Sequence, residues 1–202
     1  MMLEIPDGPF DAFLFDCDGT IADTMPLHYE AWREALAEHA CEFPEALFYQ
    51  LGGVPTPKIV EFLNQRHGHN LPVEETVHRK EELFLARIPR ILPIEPVVGL
   101  VHAYHGKLPL AVVSGGMRAL VTRTLETLGL LDRFAVLVTA EDVRHGKPHP
   151  EPFLLAAERL GVEPARCLVL EDSPTGIEAA RAAGMRYVLV PPPGLAPDAP
   201  VG

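Results

Sequence analysis

The stretch 12-AFLFDCDGT-20 joins an apolar run to two carboxylates, Asp16 and Asp18, which a Gly-Thr pair follows. The run Ala12–Phe15 predicts a short buried strand, and ligands of open α/β sheets bind at the carboxyl ends of such strands. Two carboxylates at that point indicate a magnesium site with a nucleophile and a proton donor beside it. A capped turn, in which Asp18 begins a loop, is the alternative.

Short apolar runs and helical patterns alternate along the second half of the chain. The apolar runs predict strands, and the periodic segments, each ending near a glycine, predict helices. This alternation is typical of a doubly wound parallel sheet, so we predict an α/β fold with a Rossmann-like core. The predicted strands are Ala12–Phe15, Leu110–Val113, Val136–Val138, Cys167–Leu170 and Tyr187–Val190, and the helices between them are Arg118–Leu128, Glu151–Leu160 and Pro174–Ala183.

The segment between the first two predicted strands is too long for a crossover loop. We interpret it as a small helical cap domain, residues 23–94, inserted after the first strand of a core made of residues 9–22 and 95–192. A cap hinged over a strand-end site would exclude water during chemistry. Residues 193–202 predict a loosely ordered proline-rich tail. The predicted cap helices are Pro26–Ala40, Thr56–Arg66 and Val73–Ile88.

Composition limits the possible partners. The 202-residue chain has 28 acidic and 17 basic side chains, a formal net charge of −11, and 48% hydrophobic residues. Nucleic-acid phosphates repel so acidic a chain, so we expect no nucleic-acid partner. The N-terminus shows no secretory signal, and no apolar run is long enough to span a membrane. We therefore expect a cytoplasmic protein without a membrane partner. For the oligomeric state, we expect a monomer or a weak homodimer.

The three cysteines, Cys17, Cys41 and Cys167, are scattered along the chain and lack C-x-x-C spacing. Their arrangement disfavours a zinc site or a disulfide framework and fits a reducing compartment. Cys17 lies between the two aspartates, where strand alternation points its side chain away from them. We therefore interpret Cys17 as a small core residue.

Polar residues also follow two later predicted strands. Ser114 and Gly115 come after Leu110–Val113, where a hydroxyl and glycine amides ahead of a helix can form a phosphate cradle. An ordinary Ser-Gly-Gly turn is the alternative.

Lys147 is fixed between a glycine and a proline and is suited to neutralising phosphate or carboxylate charge, although most lysines are simply solvated.

The adjacent carboxylates Glu171 and Asp172 follow the predicted strand Cys167–Leu170. Neighbouring carboxylates repel each other unless a cation lies between them, which favours a metal site. Capping of the next helix by Asp172 or Ser173 is the alternative, and the two roles can coexist.

Four motifs follow one another along the chain: Asp16–Thr20, Ser114, Lys147 with its flanking Gly and Pro, and Glu171–Ser173. They occur in the order typical of the haloacid dehalogenase superfamily of phosphohydrolases and phosphomutases, which the chain resembles over residues 10–190. The stretch Glu171–Ala180 and the helical insert resemble the β-phosphoglucomutase-like group of that superfamily. The stretches Asp23–His28, Ala31–Arg33 and Gly53–Thr56 resemble its fructose-1-phosphatase-like members.

The resemblance implies a role for each motif residue. Asp16 matches the nucleophile that forms an aspartyl-phosphate. Asp18 matches the general acid, which needs a pKa that desolvation can raise. Ser114, Gly115 and Lys147 match groups that bind the transferring phosphoryl group. The implied cofactor is Mg²⁺, held by Asp16, the backbone carbonyl of Asp18, Glu171 and Asp172.

The resemblance also implies cap residues close to the substrate, namely Thr24, His28, Trp32, Gly53 and Lys80. Trp32 is explained equally well as a core residue of its helix. Lys80 lies among other charged residues and would equally fit a solvated helix face.

The family resemblance predicts a magnesium-dependent phosphatase of a small phosphorylated metabolite, such as fructose 1-phosphate. Asp18 favours phosphoryl transfer, because dehalogenases lack this acid. β-Phosphoglucomutase is the nearest alternative, but its arginine for the second phosphate is replaced here by Thr56, and Lys58 lacks the bidentate fork. A non-catalytic protein that binds a phosphorylated ligand is the alternative of another class.

Overall fold

The protein is described from a computed structural model that covers residues 3–193, without the side chain of His67. Residues 194–202, most of the predicted proline-rich tail, lie outside the described residues. Within the described part, no helix has the length and apolar character needed to cross a bilayer. The strands are β1 (Ala12–Phe15), β2 (Ala22–Asp23), β3 (Leu92–Pro93), β4 (Leu110–Val113), β5 (Val136–Val138), β6 (Cys167–Glu171) and β7 (Arg186–Leu189). The α-helices are α1 (Met25–Ala37), α2 (Glu45–Gln50), α3 (Thr56–His67), α4 (Val73–Leu85), α5 (Glu95–Tyr104), α6 (Arg118–Thr127), α7 (Glu151–Leu160) and α8 (Pro174–Ala182).

A five-stranded parallel sheet forms the centre of the core. Its strand order is β5-β4-β1-β6-β7, so β1 lies in the middle. Phe15 of β1 pairs with Val112 of β4 and Leu170 of β6, and the three strands therefore end at nearly the same level. Later strands lie on both sides of β1, with β4 and β5 on one side and β6 and β7 on the other, and ligands of such folds bind at the carboxyl edge where the strand order reverses.

Side chains alternate across the sheet and bury both of its faces. Phe13 and Phe15 pack on one face with apolar residues of α5 and α6, such as Val97 and Val121. Leu14 packs on the other face with Phe153 and with small residues of α8. Helices cover both faces, as the continuous apolar runs of the strands require. The predicted α/β fold with a doubly wound parallel core is confirmed.

Helices α1 to α4 form a unit inserted between β2 and β3, in the place predicted for the cap. Ala22 pairs with Pro93 and Asp23 with Leu92, so the outgoing and returning chains run antiparallel, side by side. Trp32 is 2% exposed and lies in a separate hydrophobic cluster of this unit. The pairing of both crossings gives the cap a short two-stranded connection to the core.

Several element boundaries differ from the sequence predictions. Strand β6 extends through Glu171, one residue further than predicted, and β7 begins one residue earlier. Helix α1 ends at Ala37, short of the predicted Ala40, because Ala40 has a positive φ of 49° that an α-helix does not allow. Helices α2 and α5 were not predicted; α2 has only six residues, and α5 has a proline in its first turn.

Candidate active site

Lys147 links the ends of three strands beneath the cap. Its Nζ donates to Asp16 Oδ1 at 2.5 Å, to Glu171 Oε2 at 2.8 Å and to the Val113 carbonyl at 3.0 Å. An ammonium group has three N–H donors, so all of them are used. Burial by itself lowers the pKa of Lys147, but Asp16 and Glu171 raise it above its usual range. The ammonium is therefore charged and buried, and the solvated alternative for Lys147 is wrong.

Three carboxylates meet beside this lysine. Oxygen atoms of Asp16, Glu171 and Asp172 lie within 4.8 Å of one another. Burial and the charge of Glu171 raise the pKa of Asp16 well above its usual range, and the same two causes raise that of Asp172 to about 7. Burial disfavours the charged forms, and one ammonium does not balance the three carboxylates. Hard oxygen ligands around a shortage of positive charge fit a divalent cation such as Mg²⁺.

Glu171 is held in place by the first turn of α8. Ser173 donates to Glu171 Oε1 through its backbone N–H at 3.1 Å and its hydroxyl at 2.5 Å. The Ser173 hydroxyl also accepts the N–H of Gly176 at 3.0 Å and so caps the helix. A Cβ at Gly176 would overlap the Glu171 side chain. Capping by Ser173 and clustering of the carboxylates therefore occur together.

The turn after β1 brings Asp172 close to the first motif. Thr20 Oγ1 donates to Asp172 Oδ1 at 2.9 Å. Gly19 has a φ of +87°, and a Cβ there would overlap the Asp172 carboxylate.

Cys17 is fully buried in the core cluster of the sheet, as predicted, and burial raises the pKa of its thiol well above the usual value.

Asp18 contacts the cap rather than the carboxylate cluster. Its Oδ1 accepts Thr24 Oγ1 at 2.7 Å and lies 3.3 Å from His28 Nε2. Burial alone raises the pKa of Asp18, but His28, Thr24 and Lys80 together lower it to about 2. The expectation that desolvation raises this pKa is wrong for the described state, because these donors and charges outweigh burial. His28 is fixed in turn by stacking on Phe84, with ring centroids 3.7 Å apart.

Ser114 and Gly115 lie at the end of β4 and line the cavity above Asp16. Ser114 is buried, and its Oγ accepts the N–H of Gly116 at 3.0 Å. The Ser114 hydroxyl donates to no acceptor within the described part of the chain, so its hydrogen can point toward a ligand. This turn therefore combines the ordinary Ser-Gly-Gly geometry with a donor that faces the site.

The cavity has a volume of about 440 Å³ and lies between the strand ends and the cap. Trp32 belongs to the hydrophobic cluster of the cap, as the core alternative predicted, and it also lines the cavity. Lys80 is 3% exposed, which makes the solvated alternative for Lys80 wrong. Its Nζ lies 5.8 Å from the ring centroid of Trp32 and 5.4 Å from that of Phe84, and it donates to Glu81 at 3.1 Å.

The loop after α2 connects the cap directly to the site. Gly53 has a φ of +79°, and a Cβ there would overlap the Thr175 hydroxyl. Thr175 Oγ1 donates to the Gly52 carbonyl at 3.1 Å. The loop after α2 therefore contacts the first turn of α8 at a position where a Cβ on residue 53 would clash.

Thr20, Glu81 and Thr175 were missed as members of this site. Thr20 stands within the first motif, and Thr175 lies in the stretch that resembles the family. Glu81 had a signal of another kind: Val77, Lys80, Glu81 and Phe84 have i, i+3, i+4, i+7 spacing, and all four line the cavity.

Comparisons with known proteins agree with this architecture. Residues 10–184 match the family model described as haloacid dehalogenase-like hydrolase. The fructose-1-phosphate phosphatase YqaB of Escherichia coli is 38% identical, over 89% of this chain and 95% of that protein. Hexitol phosphatase A of Escherichia coli is 31% identical, over 92% of this chain and 85% of that protein. The crystal structure of β-phosphoglucomutase from Clostridium difficile superposes with a TM-score of 0.80 at 25% identity, over 88% of this chain and 83% of that one.

Proposed function

Since this chain belongs to the haloacid dehalogenase-like hydrolase family and is a phosphoric monoester hydrolase, we propose that it is a magnesium-dependent phosphatase of small sugar phosphates. The observation that carries this proposal is the meeting of Asp16, Lys147, Glu171 and Asp172 at the carboxyl edge of the sheet, where all four line one cavity. A nucleophile, a buried cation and a set of hard oxygen ligands are the parts that phosphoryl transfer needs.

In the proposed reaction, an Asp16 carboxylate oxygen attacks phosphorus as the bond to the leaving alcohol oxygen breaks, which produces an aspartyl-phosphate. Asp18 gives its proton to the departing alcohol oxygen. Asp18 then takes a proton from water as that water attacks phosphorus, the bond to Asp16 breaks, and phosphate leaves. Both aspartates return to their starting states.

Asp18 is ionised in the described state, with a pKa of about 2. We propose that it gains its proton when the substrate binds. An anionic phosphate beside a carboxylate disfavours the ionised form and so raises the pKa. His28 keeps the carboxyl oriented toward the cavity at 3.3 Å and limits its movement between the two proton transfers.

The residues that would hold Mg²⁺ are Asp16, Asp172, Glu171 and the backbone carbonyl of Asp18. Bound there, the ion would neutralise charge on the phosphoryl oxygens. Ser114 and the Gly115 amide would bind the remaining oxygens. Lys147 holds Asp16 at the carboxyl end of β1 and lowers the cost of bringing an anion to this buried edge.

The sugar-phosphate substrate is supported by two relatives and by the cavity. Relatives named for fructose 1-phosphate and for hexitol phosphates match about nine-tenths of this chain. A volume of about 440 Å³ is within the range of ordinary small-ligand sites. We therefore propose a hexose or hexitol monophosphate as substrate.

We further propose that residues 23–94 act as a lid over a catalytic core of residues 9–22 and 95–192, and that Thr24, His28, Trp32, Gly53 and Lys80 bear on the substrate from that lid. The cytoplasmic location, the monomeric or weakly dimeric state and the absence of a nucleic-acid partner stay predictions.

A phosphate-release screen tests the proposed function. The purified protein is incubated with a panel of phosphorylated metabolites in the presence of Mg²⁺, and again with excess EDTA. We expect turnover of hexose or hexitol monophosphates that EDTA abolishes and added Mg²⁺ restores. Turnover that is indifferent to EDTA would contradict the metal assignment, and activity confined to other esters would contradict the substrate class.

Mutase activity is the second candidate, because the structure superposes closely on a β-phosphoglucomutase. A coupled assay for glucose 6-phosphate from β-glucose 1-phosphate, primed with the bisphosphate, separates the two reactions. We expect phosphate release without glucose 6-phosphate formation. Tight binding of sugar phosphates without either reaction would instead favour a protein that only binds its ligand.

A further inference from the structure

Glu81 faces the cap end of the cavity and has no part in the chemistry proposed above. It lies on α4, beside the buried Lys80, and its side chain is 14% exposed. Its Oε1 accepts Lys80 Nζ at 3.1 Å and Thr56 Oγ1 at 3.0 Å. Its Oε2 is buried and has no hydrogen-bond partner among the described residues.

An unpaired carboxylate oxygen shielded from water is unfavourable, and a donor on a bound molecule would relieve it. Because Glu81 lines the cavity, the occupant of the cavity is the natural source of that donor. A sugar or polyol hydroxyl supplies an O–H, whereas an ionised phosphate supplies acceptors only. Oε2 therefore suits a hydroxyl on the part of the substrate that lies far from Asp16.

Charge in the cavity also opposes a second phosphate. Among the described residues that line it, the lysines are Lys80 and Lys147, and there is no arginine. Lys147 is fully used by the core, and the charge of Lys80 is balanced by Glu81. A second phosphate at the cap end would lie against the Glu81 carboxylate without an unbalanced cation, and like charges at close range are strongly unfavourable.

We propose that Glu81 is a specificity residue that selects monophosphates of polyhydroxylated alcohols. Its Oε2 accepts a hydroxyl of the distal part of the substrate, and its charge excludes esters that carry a second phosphate. Thr56 and Lys80 position the carboxylate through Oε1. The inference rests on the proposed sugar phosphatase function and specifies which member of that substrate class the cap accepts.

The test compares Glu81→Gln with Glu82→Gln, a matched change on the same helix at a side chain that is 53% exposed. The substrates are fructose 1-phosphate and hexyl phosphate, an alkyl ester with no further hydroxyl, both with Mg²⁺. For Glu81→Gln we expect KM for fructose 1-phosphate to rise about tenfold, as for loss of one charge-assisted hydrogen bond, with a clearly smaller change on hexyl phosphate. Glu82→Gln leaves both values as in the wild type.

A second measurement uses the wild-type protein alone, so it does not depend on the folding of a variant. We expect kcat/KM for fructose 1-phosphate to exceed that for fructose 1,6-bisphosphate at least about tenfold, because a site without an unpaired cation rejects the second phosphate. The melting temperature of Glu81→Gln shows whether its kinetics report on a folded enzyme.

The outcomes separate the inference from the function on which it rests. Equal effects of Glu81→Gln on fructose 1-phosphate and hexyl phosphate, or equal use of the mono- and bisphosphate by the wild type, would overturn the role of Glu81 and leave the phosphatase intact. Hydrolysis of hexyl phosphate without fructose 1-phosphate would overturn the inference and the sugar substrate together. No hydrolysis of any ester would remove the proposed function itself.

Discussion

The core end and the cap end of the cavity handle buried charge in different ways. At the core end, Lys147 donates all three of its N–H groups at the ends of three strands, to acceptors that include Asp16 and Glu171. At the cap end, Lys80 and Glu81 are neighbours on one helix, and one oxygen of their pair has no partner within the described part of the chain. The first arrangement is closed among protein atoms, and the second leaves a position for a ligand.

In the proposed function, the core end of the cavity carries out the reaction and the cap end selects the substrate. Strand ends of a packed sheet hold side chains in one geometry, as a nucleophile and its neighbours require. The cap end of the cavity contributes aromatic rings and the Lys80–Glu81 ion pair, and in the proposed function a change at Glu81 alters substrate choice without altering the chemistry. We therefore expect changes at the core end to affect every ester and changes at the cap end to affect some esters more than others.

The largest expected effect is that of Asp16→Asn. Without the nucleophilic oxygen, phosphate release falls at least about a thousandfold for every ester tested, because no aspartyl-phosphate forms. Steady-state phosphate release with fructose 1-phosphate and 4-nitrophenyl phosphate measures this, with Asp132→Asn, a change at an exposed side chain, as the control. Retained turnover of either ester would show that Asp16 is not the nucleophile.

Lys147→Met is expected to affect both activity and folding. It leaves Asp16 and Glu171 buried without their shared cation, which lowers the free energy of unfolding by about 3–5 kcal/mol. Activity on every ester falls about a hundredfold or more, since the same charge supports anion binding. Urea unfolding and phosphate release are compared with Lys58→Met, whose side chain is 66% exposed. A variant as stable and active as the control would contradict the closed arrangement of the core end.

Asp18→Asn tests the residue that joins the two ends, since Asp18 belongs to the core but bonds to Thr24 and His28 of the cap. We expect a loss of about a hundredfold or more with sugar phosphates, whose alcohol must be protonated as it leaves. The loss is smaller with 4-nitrophenyl phosphate, because nitrophenolate leaves without a proton. Equal losses on both esters would argue against a general-acid role.

The smallest effect is expected from Gly53→Ala. A Cβ at this positive-φ position overlaps the Thr175 hydroxyl and hinders closure of the cap, so kcat/KM for fructose 1-phosphate falls about tenfold, and the strained backbone lowers the free energy of unfolding by about 1–3 kcal/mol. Gly99→Ala is the matched control, because a Cβ there meets open space within α5. If both variants behave alike, the contact between the cap loop and the core does not govern closure.

Much of the core end was predictable because each of its motifs is local. The apolar run before Asp16 and the runs before Ser114 and Glu171 are short and bounded by turn residues, and parallel strands bring their carboxyl ends to one edge. Lys147 was less predictable. Its position in the sequence suggested a cation near phosphate, but only the packed structure brings its three donors to the other strand ends.

The cap end was harder to predict because its residues meet only after helices pack. Trp32 and Lys80 were each compatible with two environments, and Glu81 was not distinguished from the exposed Glu82 beside it. Helical spacing groups Val77, Lys80, Glu81 and Phe84 on one face, but which face of α4 is turned inward depends on its contact with α1.

The parallel sheet, the inserted helical unit and the order of the carboxylates can be read from the chain alone, because they follow from hydrophobic periodicity and from residues adjacent to the strands. That Thr24 and His28 hold Asp18 in its ionised form, and that Glu81 faces the cavity, became visible only in the folded protein. Those outcomes depend on distances between residues far apart in the chain, and the charge state of a buried carboxyl follows from the neighbours that folding brings to it.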